Sequence, residues 1–244
     1  MSENIAGDER AVHFDVVPDA RTLEPVLARA VNAGALTGCT ARGQVGPFVR
    51  VGNPVVVDPL STLTGGRVSV GGLRRQPASF FQGNRFLLPE LVVTVLQSTP
   101  ANTSVLDLYA GVGLFSVALA AAGHERIIAV EGDRYSGGDL RENAANYPDG
   151  LRVFIGRVED YVHQHRERTQ TVVVDPPRTG ISREAMESIA ALGAERVIYV
   201  SCDPPTMARD ARRLLDAGYR MVSLKGFDLF PNTPHVETVG VFDR

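Results

Sequence analysis

The chain has 244 residues, 44% of them hydrophobic, and a formal net charge of −3. This length is enough to bury a full core as one large domain, or as one domain with an appendage. Its two cysteines, Cys39 and Cys202, are too few for a disulfide framework or a cysteine-only metal site, so we expect free thiols and no iron-sulfur cluster. The apolar runs are far shorter than the roughly 20 residues of a membrane span, and the polar start MSENIAGDER is unlike a signal peptide, which predicts a cytoplasmic protein.

The acidic balance argues against a protein that coats nucleic acid through its overall charge. Phosphate contacts need local lysine and arginine rather than an average charge. A local basic patch therefore stays open as an alternative, with Arg74, Arg75 and Arg85 as its candidates.

Residues 1–78 predict a small α+β part. The segment TLEPVLARAVNAGALTG has the pattern of one helix ended by glycine. The segments FVRVG, NPVVVD and RVSVGG predict short strands, joined by turns that contain proline and glycine.

Residues 79–244 predict a second, larger domain of the α/β class. A helix comes first, because Leu88, Val92 and Val95 recur at helical spacing, with Asn84 as a candidate cap. From Ser104 onward, short strands rich in valine and isoleucine alternate with segments of helix length. This pattern predicts a doubly wound, mostly parallel sheet with helices on both faces. The last two runs, RMVSLKGFDLF and HVETVGVFD, have no helix between them and predict an antiparallel ending.

The segment VLDLYAGVGLFS predicts a glycine-rich turn between the first of these strands and its helix. Gly111 and Gly113 let the backbone approach a ligand, and Glu131 ends the next strand 20 residues after Gly111, where a carboxylate can bind a ribose diol. Both NAD and S-adenosyl-L-methionine fit this pair. Ser116 stands where a dinucleotide site needs its third glycine, which favours S-adenosyl-L-methionine. The alternative is a turn that only packs the helix on the strand.

Further candidates follow the fourth and fifth strands of the alternation. Asp175 and two prolines end TVVVDPP, and Cys202 ends RVIYVS, so both lie at the sheet edge where open α/β sheets bind ligands. Taken alone, Cys202 is more typical of a buried structural thiol, and Arg178 of a solvated surface charge. The shared edge, which also carries Glu131 and Gly111, instead indicates one cleft that collects these side chains.

The segment FPNTPHVETVGVFD places His235 and Glu237 where a proline-bounded loop enters the last strand. A carboxylate in such a place can act as a general base. The alternative is a polar residue that alternates with Val236 and Val239 on an exposed strand face. The pattern alone favours this alternative.

Together, SFFQGN, DLYAGVGLFS, VEGD, VVDPPRTG, VSCDPPT and FPNTPHVE resemble, in order and context, the motifs of the RNA 5-methyluridine methyltransferase family. The resemblance covers about residues 75 to 244 and implies a class I methyltransferase fold. It implies donor binding by the residues Gln82, Tyr109, Gly111, Gly113, Glu131 and Asp175. It also implies a nucleophile at Cys202, a proton acceptor at Glu237, and substrate contacts at Phe80, Asn84, Arg178 and His235.

The implied reaction is methylation of carbon 5 of a uridine in ribosomal or transfer RNA, with S-adenosyl-L-methionine as donor. Cys202 would add to carbon 6, and Glu237 would remove the proton from carbon 5. The base would be extruded from its stack, next to Phe80 or Phe81. Two alternatives stay open: a methyltransferase that acts on another pyrimidine, and a catalytically silent RNA-binding paralogue.

The chain departs from the family pattern at several places. Leu114 stands where many members have asparagine. The amino-terminal RNA-binding barrel and the four cluster-binding cysteines of some members are not recognisable in the sequence, and the central RNA-contacting region is shortened into residues 1–78.

Overall fold

The computed structural model describes residues 1–45, 48–165 and 167–244. Within these ranges the strands form a four-stranded sheet, a two-stranded sheet and a seven-stranded sheet. None of the helices in this part of the chain has the length and apolar character of a membrane span.

The amino-terminal part is a mixed α/β unit with a small core of its own. Its elements in chain order are β1 (Ser2–Glu3), β2 (Arg10–Asp19), α1 (Glu24–Asn32), β3 (Gly38–Val45), β4 (Val49–Gly52), β5 (Val56–Pro59), α2 (Leu60–Leu63) and β6 (Gly72–Arg75). Strands β1 to β4 form one sheet, in which β2 and β3 are parallel and α1 connects them. Leu27 of α1 packs on Cys39 of β3, which is fully buried and therefore a structural thiol. The predicted glycine end of this helix is confirmed at Gly34, whose φ is 73°.

The predicted strand RVSVGG is wrong. The chain turns through Gly65, Gly66 and Gly71, which have φ values of 58°, 81° and 98°, and only then enters β6. Positive φ values suit glycine and interrupt an extended strand. The sequence also left β2 unassigned, because polar residues and Pro18 obscure its alternation.

The basic patch proposed around Arg75 is also contradicted, because this side chain is buried. Arg75 is 2% exposed and forms an ion pair with fully buried Asp58 across the β5–β6 hairpin. Its guanidinium lies 3.7 Å from the ring centroid of Phe81. Only Arg74 and Arg85 of the three candidates reach the surface, and both pair with glutamates. Arg75 therefore stabilises the fold instead of offering a free charge to phosphate.

The larger part of the chain is built around the seven-stranded sheet. Its elements in chain order are α3 (Leu88–Ser98), β7 (Val105–Leu108), α4 (Leu114–Ala121), β8 (Ile127–Glu131), α5 (Arg134–Ala144), β9 (Leu151–Ile155), α6 (Val158–Gln164), β10 (Thr171–Val174), α7 (Arg183–Ala191), β11 (Arg196–Ser201), α8 (Pro204–Asp216), β12 (Arg220–Phe227) and β13 (Glu237–Asp243). The strand order is β12-β13-β11-β10-β7-β8-β9. Only β13 runs antiparallel to its neighbours, which confirms the predicted mostly parallel sheet with an antiparallel ending.

Both faces of this sheet are covered. Val173 points into a core shared with α3, α4 and α5, whereas Val172 and Val174 point into a core shared with α6, α7 and α8. Burial on both faces explains why these strands are continuous apolar runs. Each fully buried aliphatic side chain contributes about 1.5–3 kcal/mol to the free energy of folding. Leu60, Leu63 and Leu73 of the first 78 residues also pack in the first of these cores. The domain boundary after residue 78 stays a prediction.

The direction of the sheet order reverses at its centre. From β7 the chain proceeds outward to β8 and β9, and from β10 it proceeds in the opposite direction to β11. Ligands of open α/β sheets bind at such a reversal, outside the carboxyl ends of the strands. The loops after β7, β8, β10 and β11 therefore form the candidate site.

Candidate active site

The loop after β7 has the open backbone of a ligand-binding turn. Gly111 has a φ of 58°, and a side chain there would meet no atom within 4 Å. Gly113 has a φ of 95°, but a Cβ would lie 2.8 Å from Leu140 and 2.9 Å from Val117. Gly113 therefore permits close packing of α4, while the space at Gly111 is free for a ligand. Tyr109 enters the same turn with a φ of 60°, a rare value for a residue with a side chain.

Glu131 connects the end of β8 to this turn. One carboxylate oxygen accepts a hydrogen bond of 2.7 Å from the Gly111 amide, and the other accepts one of 2.6 Å from the Asp133 amide. These bonds orient the carboxylate at the sheet edge, beside the open turn. The sequence analysis predicted that a carboxylate at this place binds a ribose diol.

Asp107 is a member of the site that the sequence reasoning missed. It lies inside β7, fully buried, and its Oδ2 accepts a 3.0 Å bond from the Ser116 amide while Oδ1 has no partner. Burial raises the pKa of Asp107 to about 7, and the charges of Asp175 and Glu131 add to this effect. The signal was a carboxylate in an otherwise apolar strand, VLDLY.

Cys202 and three charged side chains meet at the ends of β10, β11 and β13. Cys202 is partly exposed, and burial raises the pKa of its thiol, with further raising from Glu237 and Asp175. Arg178 lies near enough to the sulfur to lower the same pKa. The structure thus brings Asp175, Arg178, Cys202 and Glu237 into electrostatic contact, as the shared sheet edge predicted.

Glu237 is the most unusual group of this set. It is 0% exposed, and neither of its carboxylate oxygens has a hydrogen-bond partner. Burial raises its pKa, and the charge of Asp175 raises it further. The interpretation that the strand pattern alone favoured, a polar residue on an exposed face, is wrong. A buried carboxylate without partners is costly to a fold and is typical of a site that uses it.

The segment before α3 supplies the remaining candidates. Gln82 lines a cavity of about 190 Å³ together with residues 1–5, and its side-chain oxygen is buried without a partner. Phe80 is 75% exposed. The oxygen of Asn84 accepts from the amides of Phe86 and Leu87 at 3.1 and 3.2 Å, and its nitrogen donates to the Leu229 carbonyl.

Asn84 therefore caps the turn that leads into α3 and ties it to the loop before β13. His235 lies in this same loop, half-buried, with its ring edge on Phe230. The Tyr109 hydroxyl donates to Glu159 over 3.4 Å, and burial raises its pKa.

These residues fit the binding of S-adenosyl-L-methionine. The donor carries a positively charged sulfonium, and the carboxyl groups of Glu131 and Asp175 lie at the edge, with buried Asp107 of β7 within electrostatic reach of both. The open backbone at Gly111 leaves room for a ligand. Among the described residues, no group of histidine, cysteine and acidic side chains is arranged to hold a metal ion.

The sheet order, the antiparallel β13 and the glycine turn after β7 define a class I methyltransferase fold. Solved structures of this class are similar to the chain. The tRNA (uracil-54, C5)-methyltransferase of Pyrococcus abyssi, in complex with S-adenosyl-L-homocysteine, matches with a TM-score of 0.73 and 24% identity over 87% of this chain and 52% of that one. The tRNA m1G37 methyltransferase of M. jannaschii matches with a TM-score of 0.61 and 15% identity, over 96% of this chain and 72% of that one.

Residues 149–244 match the model of the tRNA (uracil-5-)-methyltransferase family. An uncharacterized RNA methyltransferase of Thermotoga maritima is 40% identical over 66% of this chain and 37% of the relative. An uncharacterized RNA methyltransferase of Streptomyces coelicolor is 32% identical over 93% of this chain and 53% of the relative. The 23S rRNA (uracil(1939)-C(5))-methyltransferase RlmD of Vibrio vulnificus is 36% identical over 69% of this chain and 40% of the relative. The resemblance to the RNA 5-methyluridine methyltransferase family is thereby confirmed, although the chain spans only about half or less of these relatives.

Proposed function

We propose that the protein methylates carbon 5 of a uridine in RNA, with S-adenosyl-L-methionine as the donor. The observation that carries the proposal is the pairing of Cys202 with the buried, unpartnered carboxylate of Glu237 at the edge of a class I methyltransferase sheet. A nucleophile and a base are both required to methylate this carbon, and methyl transfer to an oxygen or nitrogen needs no such thiol.

The donor is proposed to lie along the loops after β7, β8 and β10. Gly111 would let it approach the backbone, Glu131 would bind its ribose, and Asp175, Tyr109 and Gln82 would complete the contacts. When bound, S-adenosyl-L-methionine supplies an electrophilic methyl group. The acidic edge would favour this cation over its neutral product, because opposite charges attract strongly where water is excluded.

Cys202 is proposed to start the reaction. Carbon 5 of uracil is a weak nucleophile, so the thiolate first forms a bond to carbon 6 and moves the double-bond electrons toward the carbonyl oxygen at carbon 4. The resulting enolate makes carbon 5 nucleophilic. Because the resting thiol has a raised pKa, Arg178 is needed to favour the thiolate beside two acidic groups.

Glu237 is proposed to complete the methylation reaction. After carbon 5 carries its methyl group, Glu237 removes the proton that remains there, the carbon 5–carbon 6 double bond forms again, and Cys202 leaves as thiolate. A base with a raised pKa suits this step because it can hold the proton it receives. The absence of hydrogen-bond partners keeps both oxygens of Glu237 available.

RNA is the proposed substrate because the family description and the names of the relatives all specify RNA. A base inside a helix cannot reach a half-buried thiol, so the uridine would be extruded into the site. Exposed Phe80, half-buried His235 and Arg178 are the proposed contacts to it.

The test is covalent trapping. RNA that contains 5-fluorouridine has no removable proton at carbon 5, so elimination stops and a protein–RNA adduct through Cys202 should accumulate in the presence of the donor. Cys202→Ala should lose the adduct and keep donor binding, and Cys39→Ala, which removes the other free thiol away from the sheet edge, is the matched control that should keep both. A folded wild-type protein that binds the donor and gives no adduct with total cellular RNA would disprove the proposed chemistry.

A further inference from the structure

The segment 175–181, which we name the Asp175 loop, is held along its length by helix α8. The Thr206 hydroxyl donates to the Arg178 carbonyl over 3.2 Å, and the Arg209 guanidinium donates to the Thr179 carbonyl over 3.1 Å. Helix α8 begins two residues after Cys202. The same helix therefore contacts the loop that carries Asp175 and Arg178 and follows directly from the thiol.

Asp210 is the centre of these contacts. This carboxylate is 0% exposed, and its Oδ2 accepts from the Ile181 amide at 3.0 Å and from the Tyr199 hydroxyl at 2.8 Å. Its Oδ1 accepts from Arg209 and from Arg213, each at 3.0 Å. Asp210 thus joins the end of the loop, strand β11 and the outer face of α8 through one buried group.

The fit between loop and helix is close. Gly180 turns the loop with a φ of 74°, and its amide donates to the Pro177 carbonyl over 2.7 Å. A Cβ at Gly180 would collide with Thr206, Arg209 and Asp210. The loop can therefore pack this closely on α8 only with glycine at position 180.

The other end of α8 is anchored beside the thiol. The Asp203 carboxylate caps the helix by accepting from the Thr206 amide over 3.2 Å, and the Asp203 amide donates to the Ser201 hydroxyl over 3.2 Å. Cys202 lies between these two residues. Its position is consequently tied to the helix that holds the Asp175 loop.

We propose that Asp210 is a positioning residue that locks the Asp175 loop to α8 and thereby keeps Arg178 against the Cys202 thiol. This inference rests on the proposed function, because it assigns the contact a purpose in preparing the nucleophile. Asp210 does not touch the reacting atoms. It acts on the loop that carries Arg178, because it accepts from the Ile181 amide at the end of this loop, while Thr206 of the same helix holds the Arg178 carbonyl.

The readout is the pH dependence of Cys202 alkylation by iodoacetamide, measured on the full chain by peptide mass spectrometry. The charged groups that face the thiol are Glu237 from β13, and Asp175 and Arg178 from the loop. Asp210→Asn should release Arg178, and because Arg178 lowers the pKa of the thiol, the profile should move to higher pH. Labelling at pH 8 is expected to fall about three- to tenfold, since only the thiolate reacts.

Three variants make this result specific. Arg178→Ala should shift the profile in the same direction, and the double variant Asp210→Asn/Arg178→Ala should shift it no further, because both substitutions remove one interaction. Asp216→Asn, which removes an exposed carboxylate of the same helix paired with Arg212, should leave the profile unchanged. Buried Cys39 is an internal reporter of unfolding, because it should stay unlabelled in every folded variant.

An Asp210→Asn protein that protects Cys39 and keeps the wild-type profile would overturn the inference, and so would additive shifts in the double variant. If Asp210→Asn exposes Cys39, Arg209→Ala provides the milder test, because it removes a contact to Thr179 at a partly exposed position. Alkylation needs neither RNA nor donor. A failure of this inference is thus distinguishable from a failure of the proposed methylation.

Discussion

Replacement of Glu237 by glutamine is expected to end catalysis and, at neutral pH, to stabilise the folded chain. The wild-type carboxylate is fully buried without a hydrogen-bond partner, and it faces the acidic Asp175. Glutamine has nearly the same shape but carries no charge. The variant therefore removes a group that must take up a proton when it is buried at neutral pH, while it leaves the packing of β13 in place.

The magnitude follows from the pKa of Glu237. Burial and Asp175 raise this pKa from 4.5 to about 8, so the folded state prefers the protonated form. The associated stability is fully present below pH 4.5 and is lost as the pH rises toward the folded-state pKa. Up to pH 7 this interval is two and a half pH units, which corresponds to a loss of about 3 kcal/mol at 1.36 kcal/mol per unit. Part of this loss is shared with Asp175, whose pKa is raised mainly by burial and further by Glu131.

The assay is urea unfolding of both proteins at pH 5, 6, 7 and 8. The wild-type free energy of unfolding should fall relative to that of Glu237→Gln by about 4 kcal/mol across this range, because three pH units at 1.36 kcal/mol per unit lie between the two pKa values. Glu142→Gln, at an exposed position of α5, should show no such divergence. A difference between wild type and Glu237→Gln that stays constant with pH, or that grows in the opposite direction, would refute the reasoning.

Two further substitutions test the donor site and the fold. Glu131→Ala removes the acceptor of the Gly111 and Asp133 amides, so binding of S-adenosyl-L-homocysteine in calorimetry should weaken at least tenfold, and the free energy of unfolding should also fall by about 1–3 kcal/mol. Asp58→Asn leaves the buried Arg75 guanidinium without its charged partner, so the free energy of unfolding should fall by about 3–5 kcal/mol in urea titrations.

The control for Glu131→Ala is an exposed glutamate of α5, and the control for Asp58→Asn removes both members of the ion pair. Glu142→Ala should leave the affinity for S-adenosyl-L-homocysteine unchanged, and an equal loss in both variants would contradict a specific role for Glu131. The double variant Asp58→Ala/Arg75→Met should recover part of the lost stability, because it removes both charges. An Asp58→Asn loss below about 1 kcal/mol would show that Arg75 is adequately solvated elsewhere.

The central sheet was predictable because each strand carries its own signal. Valine- and isoleucine-rich runs that are buried on both faces need no alternation, and a glycine or aspartate marks where each ends. The edge location of Glu131, Asp175 and Cys202 followed from the same rule, since parallel strands end on one side. The prediction of a strand at RVSVGG was wrong because its valines have the composition of a strand. Glycines before and within this segment adopt positive φ values, which an extended strand does not allow.

Side-chain burial was less predictable than strand order. Arg75 follows another arginine in the sequence, and only the pairing of β5 with β6 brings it to Asp58. Glu237 alternates with valines as an exposed strand residue does, yet β13 lies between β11 and β12 and is covered on both faces. A local pattern reports periodicity and carries no information about which faces the rest of the chain covers.

The sequence by itself determined the class of fold, the residues at the sheet edge and the family resemblance, because these depend on local runs and motifs. Tertiary structure decided which of those residues interact. The loop after β10 brings Arg178 near Cys202, and β13 brings Glu237 near the same thiol because it inserts beside β11. Such contacts join segments that lie tens of residues apart, and their energies depend on burial and distance, which exist only in the folded chain.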